Sequence, residues 1–248
     1  MIFGDKMYLS KSKIDCLMSC PLKFKYQYID KIKTTNESPA FLGEGQDLHE
    51  LFEKTYSEMR GKELTPENLK KTIKNLALTY KVEHRKIDLL NWYNFNVDLI
   101  KKTKFFPEMT EKFVASKEMQ MRGIIDCVRE NGNKVIMIDY KTGKDNGIAP
   151  HRFQHAIYKT LYEIMFPNKK KITHWSNWYS QTGNFYIEEC KSISIKARLK
   201  KVAKAEKMVE EKVWETQEIK RGSLWACKYC PFFDICFKEA ESGVNLEW

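Results

Sequence analysis

No run of 18 or more apolar residues occurs in the 248-residue chain, and its start, Met1 to Lys13, lacks a basic segment followed by an apolar core. The first absence excludes an ordinary transmembrane helix and the second a secretory leader, so a cytoplasmic protein without a membrane role is expected. The phosphate loop GxxxxGK[ST] and the dinucleotide fingerprint GxGxxG are also missing. That sets aside a self-contained nucleotide-driven motor and a Rossmann dehydrogenase, and any ATP that the task needs must come from a partner. There is no internal repeat and no low-complexity tract. The seven cysteines are odd in number and follow no leader, which does not read as a disulfide framework.

What is present is a folded, basic chain. Lys and Arg number 43 against 33 Asp and Glu, for a formal net charge of +10, with 42% apolar and 13% aromatic residues. That apolar content argues against intrinsic disorder, and the positive excess favours a polyanionic partner.

Periodicity predicts a helix over Ser10 to about Ile29, capped by Ser10 or Ser12 and interrupted near Pro21, then a polar loop from Lys31 to Pro39. Leu48, Leu51, Phe52, Tyr56 and Met59 recur at helical spacing between Phe41 and Arg60, with Gly61 at a common stop position. Further helices are expected from Pro66 and over Leu89 to Lys102. The texture then changes to strands at Glu111–Ala115, Met119–Arg129 and Val135–Tyr140, the last two joined by the turn signal Asn131-Gly132-Asn133. A helix at Arg152–Met165, strands at Ile172–Tyr179 and Phe185–Glu189, and a lysine-rich helix at about Ile195–Lys220 follow. The expectation is one domain over 1–248: a helical part (1–105), a sheet core (106–192) and a C-terminal helix with a cysteine cluster (193–248).

Asp139-Tyr140-Lys141 ends the apolar run that starts at Val135. Side chains alternate along a strand, so Asp139 and Lys141 emerge on one face. Asp126 lies across the hairpin, opposite Met137 if the turn is Asn131-Gly132 and opposite Asp139 if it is Gly132-Asn133. Either two-residue turn places both aspartates on one face. Two converging carboxylates repel unless a cation lies between them, and oxygen-rich ligation suits magnesium or manganese.

Four motifs occur in order: Gly45 to His49 (GxxxH), Gly123 to Asp126 (GxxD), Asp139-Tyr140-Lys141-Thr142-Gly143, and Gln154 to Tyr158 (QxxxY). Together they resemble the RecB-like branch of the PD-(D/E)XK nuclease superfamily, over Ser10 to Cys236. The resemblance implies an α/β fold of mixed α+β type, a restriction-endonuclease-like core with a central mixed sheet flanked by helices. It implies that His49, Asp126, Asp139 and the carbonyl of Tyr140 bind Mn2+ or Mg2+. Lys141 then orients and helps to deprotonate the attacking water, while Gln154 and Tyr158 brace the site and the DNA strand. His155, next to Gln154, is expected to turn away.

Cys227-Lys228-Tyr229-Cys230 and Cys236 supply three sulfurs, and a tetrahedral site needs a fourth. An iron-sulfur subset of the RecB-like group, which includes AddB helicase-nuclease subunits and CRISPR-associated adaptation nucleases, is similar. By that likeness Cys20, with Cys16 as rival, joins Cys227, Cys230 and Cys236 around a [4Fe-4S] cluster that staples the fold, with zinc as the alternative occupant. Arg122, Lys144, Arg152 and Lys159 are candidates for DNA phosphate contacts, and Tyr26, Tyr28, Trp175 or Trp178 for base stacking. The expected function is metal-dependent DNA hydrolysis, as a single-strand exonuclease in CRISPR adaptation or in recombination and repair, with a CRISPR integrase or a helicase supplied in trans. The alternative is a DNA-binding or scaffold protein that keeps the fold without activity.

Overall fold

The computed structural model describes residues 7–34, 40–215 and 227–241. The end of the expected 31–39 loop and the stretch of the lysine-rich helix beyond 215 lie outside them. The chain forms two compact units, one from Met1–Glu37, Glu118–Met121 and Ile193–Trp248, the other from Ser38–Lys117 and Arg122–Ser192.

The larger unit holds a five-stranded sheet in sequential order: β1 (Met109–Ser116), β2 (Met121–Asn131), β3 (Lys134–Lys141), β4 (His174–Tyr179) and β5 (Phe185–Glu189). β2 and β3 form an antiparallel hairpin in which Asn131 pairs with Lys134. The turn is therefore Gly132-Asn133, with Gly132 at φ +60° as its geometry requires. β3 and β4 run parallel, β4 and β5 antiparallel. The parallel step needs a crossover, and helix α6 (Arg152–Met165) supplies it.

Three helices precede the sheet, numbered after two short ones in the other unit: α3 (Ala40–Met59), α4 (Pro66–Thr79) and α5 (Lys86–Lys101). Gly61, at φ +77°, follows the end of α3, and Thr65 caps α4 by accepting from the Asn68 N–H at 3.2 Å. Their apolar stripes bury Leu48, Leu51, Phe52, Tyr56, Leu69, Ile73 and Trp92 against Cys127, Ile138, Tyr140 and Trp178 of the sheet. Phe52 stacks on Trp92 with ring centroids 4.4 Å apart, and the Trp92 indole donates to Thr55 at 3.0 Å. By strand alternation the opposite face carries Asp139, Trp175 and Asn177. There α6 buries His155, whose ring stacks on Trp175 and whose Nε2 is 2.7 Å from Asn177 Oδ1. His155 thus turns onto the sheet.

In the smaller unit, α1 (Lys11–Ser19) is capped by Ser10, and α2 (Pro21–Phe24) starts with Pro21 at its first position and Cys20 as its cap. One π-turn, Lys25–Ile29, continues it. α7 (Ser192–Glu210) is tied to α1 by Lys201 and Asp15 at 2.6 Å, and Phe24 packs on Trp214 at 5.4 Å. The last described helix, α8, spans Phe233–Glu241. Tyr26 is buried against Phe232, and Trp175 and Trp178 are each 1% exposed. All three are core residues and offer no ring for base stacking.

Candidate active site

The four motifs meet in the larger unit. β2 and β3 stop pairing at Cys127 and Ile138, so Asp126 and Asp139 follow as the next residues of the register. Asp126 turns its carboxylate onto the backbone of β3, where Oδ2 accepts from the Tyr140 N–H at 2.8 Å. His49, four residues after Gly45 on α3, places Nδ1 3.6 Å from the same oxygen. A third donor comes from β1. One ligand atom each from His49, Glu111 and Asp126 lies within 4.8 Å of the other two.

Asp139 sits beside this trio, engaged from its own side. Lys141 Nζ is 2.5 Å from its Oδ2, and Gln154 Nε2 donates to its Oδ1 at 3.3 Å. Gln154 Oε1 in turn lies 3.5 Å from Lys141 Nζ. Beside the expected ligands His49, Asp126 and Asp139 the structure thus adds Glu111, which groups with His49 and Asp126, while Asp139 is engaged by Lys141 and Gln154. Nothing in the spacing of a lone strand glutamate marked Glu111. Its backbone is the clue, because φ is +41°, a left-handed value unusual for a non-glycine residue and often found at functional sites.

The electrostatics agree with a cation position. Burial, then the neighbouring Asp139 and Glu111, push the Asp126 carboxyl well above its ordinary range. Burial, with Glu53, Asp139 and Glu50 nearby, raises Glu111 to about 7. Burial lowers the His49 imidazole, leaving it neutral and able to donate a lone pair. Asp139 is held low although burial opposes it, because the Lys141 ammonium is adjacent. Crowded carboxylates with elevated proton affinity beside a neutral imidazole fit a divalent ion, which would relieve the repulsion.

Each motif's remaining residues have a steric or hydrogen-bonding reason. A β-carbon on Gly45 would come within 3.0 Å of Thr142 Oγ1, so the glycine lets α3 approach the segment after Lys141. Tyr140 is buried, its hydroxyl 3.3 Å from that of Tyr56, which accepts from Arg129 at 2.8 Å. Burial raises the Tyr158 phenol, which also bonds to Gln154 and to the Ile124 backbone. Arg122 and Lys144 are exposed. Arg152 and Lys159 differ from expectation. Both guanidinium edges of Arg152 engage Glu188, one at 2.8 Å, and Lys159 is buried and paired with Glu163. Neither is a free phosphate donor.

A family model described as the PD-(D/E)XK nuclease superfamily matches residues 8–237. The chain belongs to the PD-(D/E)XK nuclease superfamily. Its five-stranded mixed sheet flanked by helices is the corresponding α/β architecture. Membership in this nuclease superfamily makes DNA the implied substrate and divalent metal the implied cofactor. No curated protein matches. Among solved structures, the crystal structure of SSO0001 is similar at 17% identity, over 75% of this chain and 94% of that one, with a TM-score of 0.30. No helix among the described residues is long and apolar enough to cross a membrane.

In the smaller unit, Cys20, Cys227, Cys230 and Cys236 line one pocket, together with Leu22, Tyr26, Phe232 and Phe237. Cys20 Sγ accepts from the Lys23 N–H at 3.4 Å, at the start of α2. Cys16 lies near enough to Cys20 and Cys230 to feel their charge, and its thiol is raised to about 11, chiefly by burial. All seven cysteines are outside disulfides.

Proposed function

We propose that this PD-(D/E)XK protein is a deoxyribonuclease that uses Mn2+ or Mg2+ to hydrolyse phosphodiester bonds, acting on single-stranded ends. The observation that carries the reading is the convergence of His49, Glu111 and Asp126 beside the Asp139–Lys141–Gln154 cluster. His49, Asp126 and either Glu111 or Asp139 hold the ion, with the Tyr140 carbonyl, which borders His49, as a further oxygen. When bound, the ion lowers the pKa of a water molecule and polarises the phosphoryl oxygen. Lys141 orients that water and offers a cation to the charge that develops on phosphorus–oxygen bond cleavage. Asp139 fixes the ammonium from one side and Gln154 from the other. The exposure of Arg122 and Lys144 supports them as the phosphate contacts.

The pocket in the smaller unit supports a [4Fe-4S] cluster held by Cys20, Cys227, Cys230 and Cys236. Zinc in the same four sulfurs is the alternative occupant of this pocket. The same cysteine arrangement supports a setting in CRISPR spacer acquisition or in recombination and repair.

The test is degradation of end-labelled single-stranded DNA with Mn2+, comparing the wild type with Asp139→Ala and Lys141→Ala. The reading expects loss of activity in both variants. Equal degradation by all three removes the case for this site, and DNA binding without any cleavage leaves the inactive scaffold.

A further inference from the structure

We propose that Arg85, fixed by Asp88, is a positioning residue of the active site, locking the helix that carries His49 to the strand end that carries Lys141. The inference rests on the nuclease reading above.

Arg85 stands at the N-terminus of α5, outside all four motifs. Its guanidinium makes contacts in three directions. Nε donates to Asp88 Oδ2 at 2.9 Å, Nη2 to the Thr142 carbonyl at 3.2 Å, and Nη1 to Glu44 Oε2 at 3.4 Å. Glu44 also lies 3.4 Å from His84 Nε2. It precedes His49 by five residues on α3, and Thr142 directly follows Lys141. One planar group therefore connects the two segments whose separation sets the distance between the imidazole and the lysine.

Asp88 holds that plane in place. It is 3% exposed, and its second oxygen accepts from the Ser180 hydroxyl. Ser180 also donates its backbone N–H to the Lys141 carbonyl at 2.9 Å, and Gln181 donates to the Thr142 carbonyl at 3.2 Å. The Lys141 carbonyl is thus held by Ser180, which also bonds Asp88, and the Thr142 carbonyl by Arg85 and Gln181. A carboxylate in the first turn of a helix is favoured by the helix dipole, so Asp88 is a stable anchor. The Arg85 side chain is 16% exposed, and its donors face protein, which suits orientation of other residues over contact with DNA.

A lysine at 85 keeps the charge but is a point donor without the fork that reaches three partners. The experiment compares the wild type, Arg85→Ala and Arg85→Lys by Mn2+ titration calorimetry and by steady-state cleavage of end-labelled single-stranded DNA. Both variants are expected to weaken Mn2+ binding and to lower kcat, each by about 10- to 100-fold. KM for DNA should stay within about two-fold. Millimolar guanidinium ion should restore part of the kcat of Arg85→Ala and none of that of Arg85→Lys. Unchanged Mn2+ affinity and kcat in the variants would overturn the proposal, as would a raised KM at constant kcat, which makes Arg85 a DNA contact. Should Arg85→Ala fail to fold, Arg85→Lys carries the comparison. If the wild type cleaves no DNA, the nuclease reading fails, while the Mn2+ titration still decides the positioning role.

Discussion

The ring of Tyr158 occupies the space that a side chain on residue 123 would need: a β-carbon built on Gly123 would stand 2.3 Å from Tyr158 Cε1. The glycine of GxxD and the tyrosine of QxxxY are therefore one steric unit, pressing α6 onto β2 beside Asp126. Gly123→Ala must displace the ring, at an expected cost of about 1–3 kcal/mol. Removing the ring with Tyr158→Ala should relieve much of that cost, giving a non-additive double-mutant cycle in urea denaturation. Simple additivity would mean that the two residues do not share this space.

Glu111 makes a pH prediction. Its carboxyl, raised to about 7 mainly by burial, is protonated more readily in the folded chain than in the unfolded one. In metal-free protein the associated stability is fully present below the unfolded value near 4.5 and is lost as pH rises through about 7. A metal must displace the same proton, so Mn2+ affinity should rise as pH increases across this range. Calorimetry in buffers of different ionisation enthalpy checks the proton release, and Glu111→Gln should flatten the pH dependence. An unchanged slope in Glu111→Gln would take Glu111 out of the site.

Arg129 is 7% exposed, and its hydrogen-bond partners among the described residues are the Lys104 and Phe105 carbonyls and the Tyr56 hydroxyl. Tyr56→Phe removes one of these acceptors and strands a buried donor, so the fold should lose about 1–3 kcal/mol in chemical denaturation. Because Tyr56 also touches the Tyr140 hydroxyl, Mn2+ affinity should fall in the same variant. A variant as stable as the wild type would show that the Arg129 site rearranges without cost.

The four-sulfur pocket predicts a brown protein absorbing near about 400 nm. Cys230→Ser should lose that band and melt at a lower temperature, and chelation of divalent metal at the active site should leave the band intact. A colourless wild type with stoichiometric zinc would replace the cluster with a zinc site.

What was legible in the sequence was periodic or local. Alternation and either two-residue turn were enough to put Asp126 and Lys141 on the face of Asp139, and helical spacing identified the stripe from Leu48 to Met59; which turn forms, and so whether Asp126 faces Met137 or Asp139, is decided by the Asn131–Lys134 pairing. What was not legible depends on distant partners. Glu111 enters the site through a left-handed kink that no spacing encodes. Arg152 looked free for phosphate but meets Glu188, 36 residues away, when β5 pairs with β4. Trp175 and Trp178 lie in a strand covered by helices on both faces, so their aromatic surface goes to the core. Arg85 connects segments more than 40 residues apart on either side, which only the fold brings together.

The central claim is that one divalent ion sits among His49, Asp126 and a third carboxylate beside Lys141. Manganese anomalous scattering from crystals grown with Mn2+ tests it most directly. The account predicts a peak at about 2.0–2.3 Å from a His49 nitrogen and from an Asp126 oxygen, lost in Asp126→Ala. A peak elsewhere, or no peak at saturating Mn2+, would contradict it.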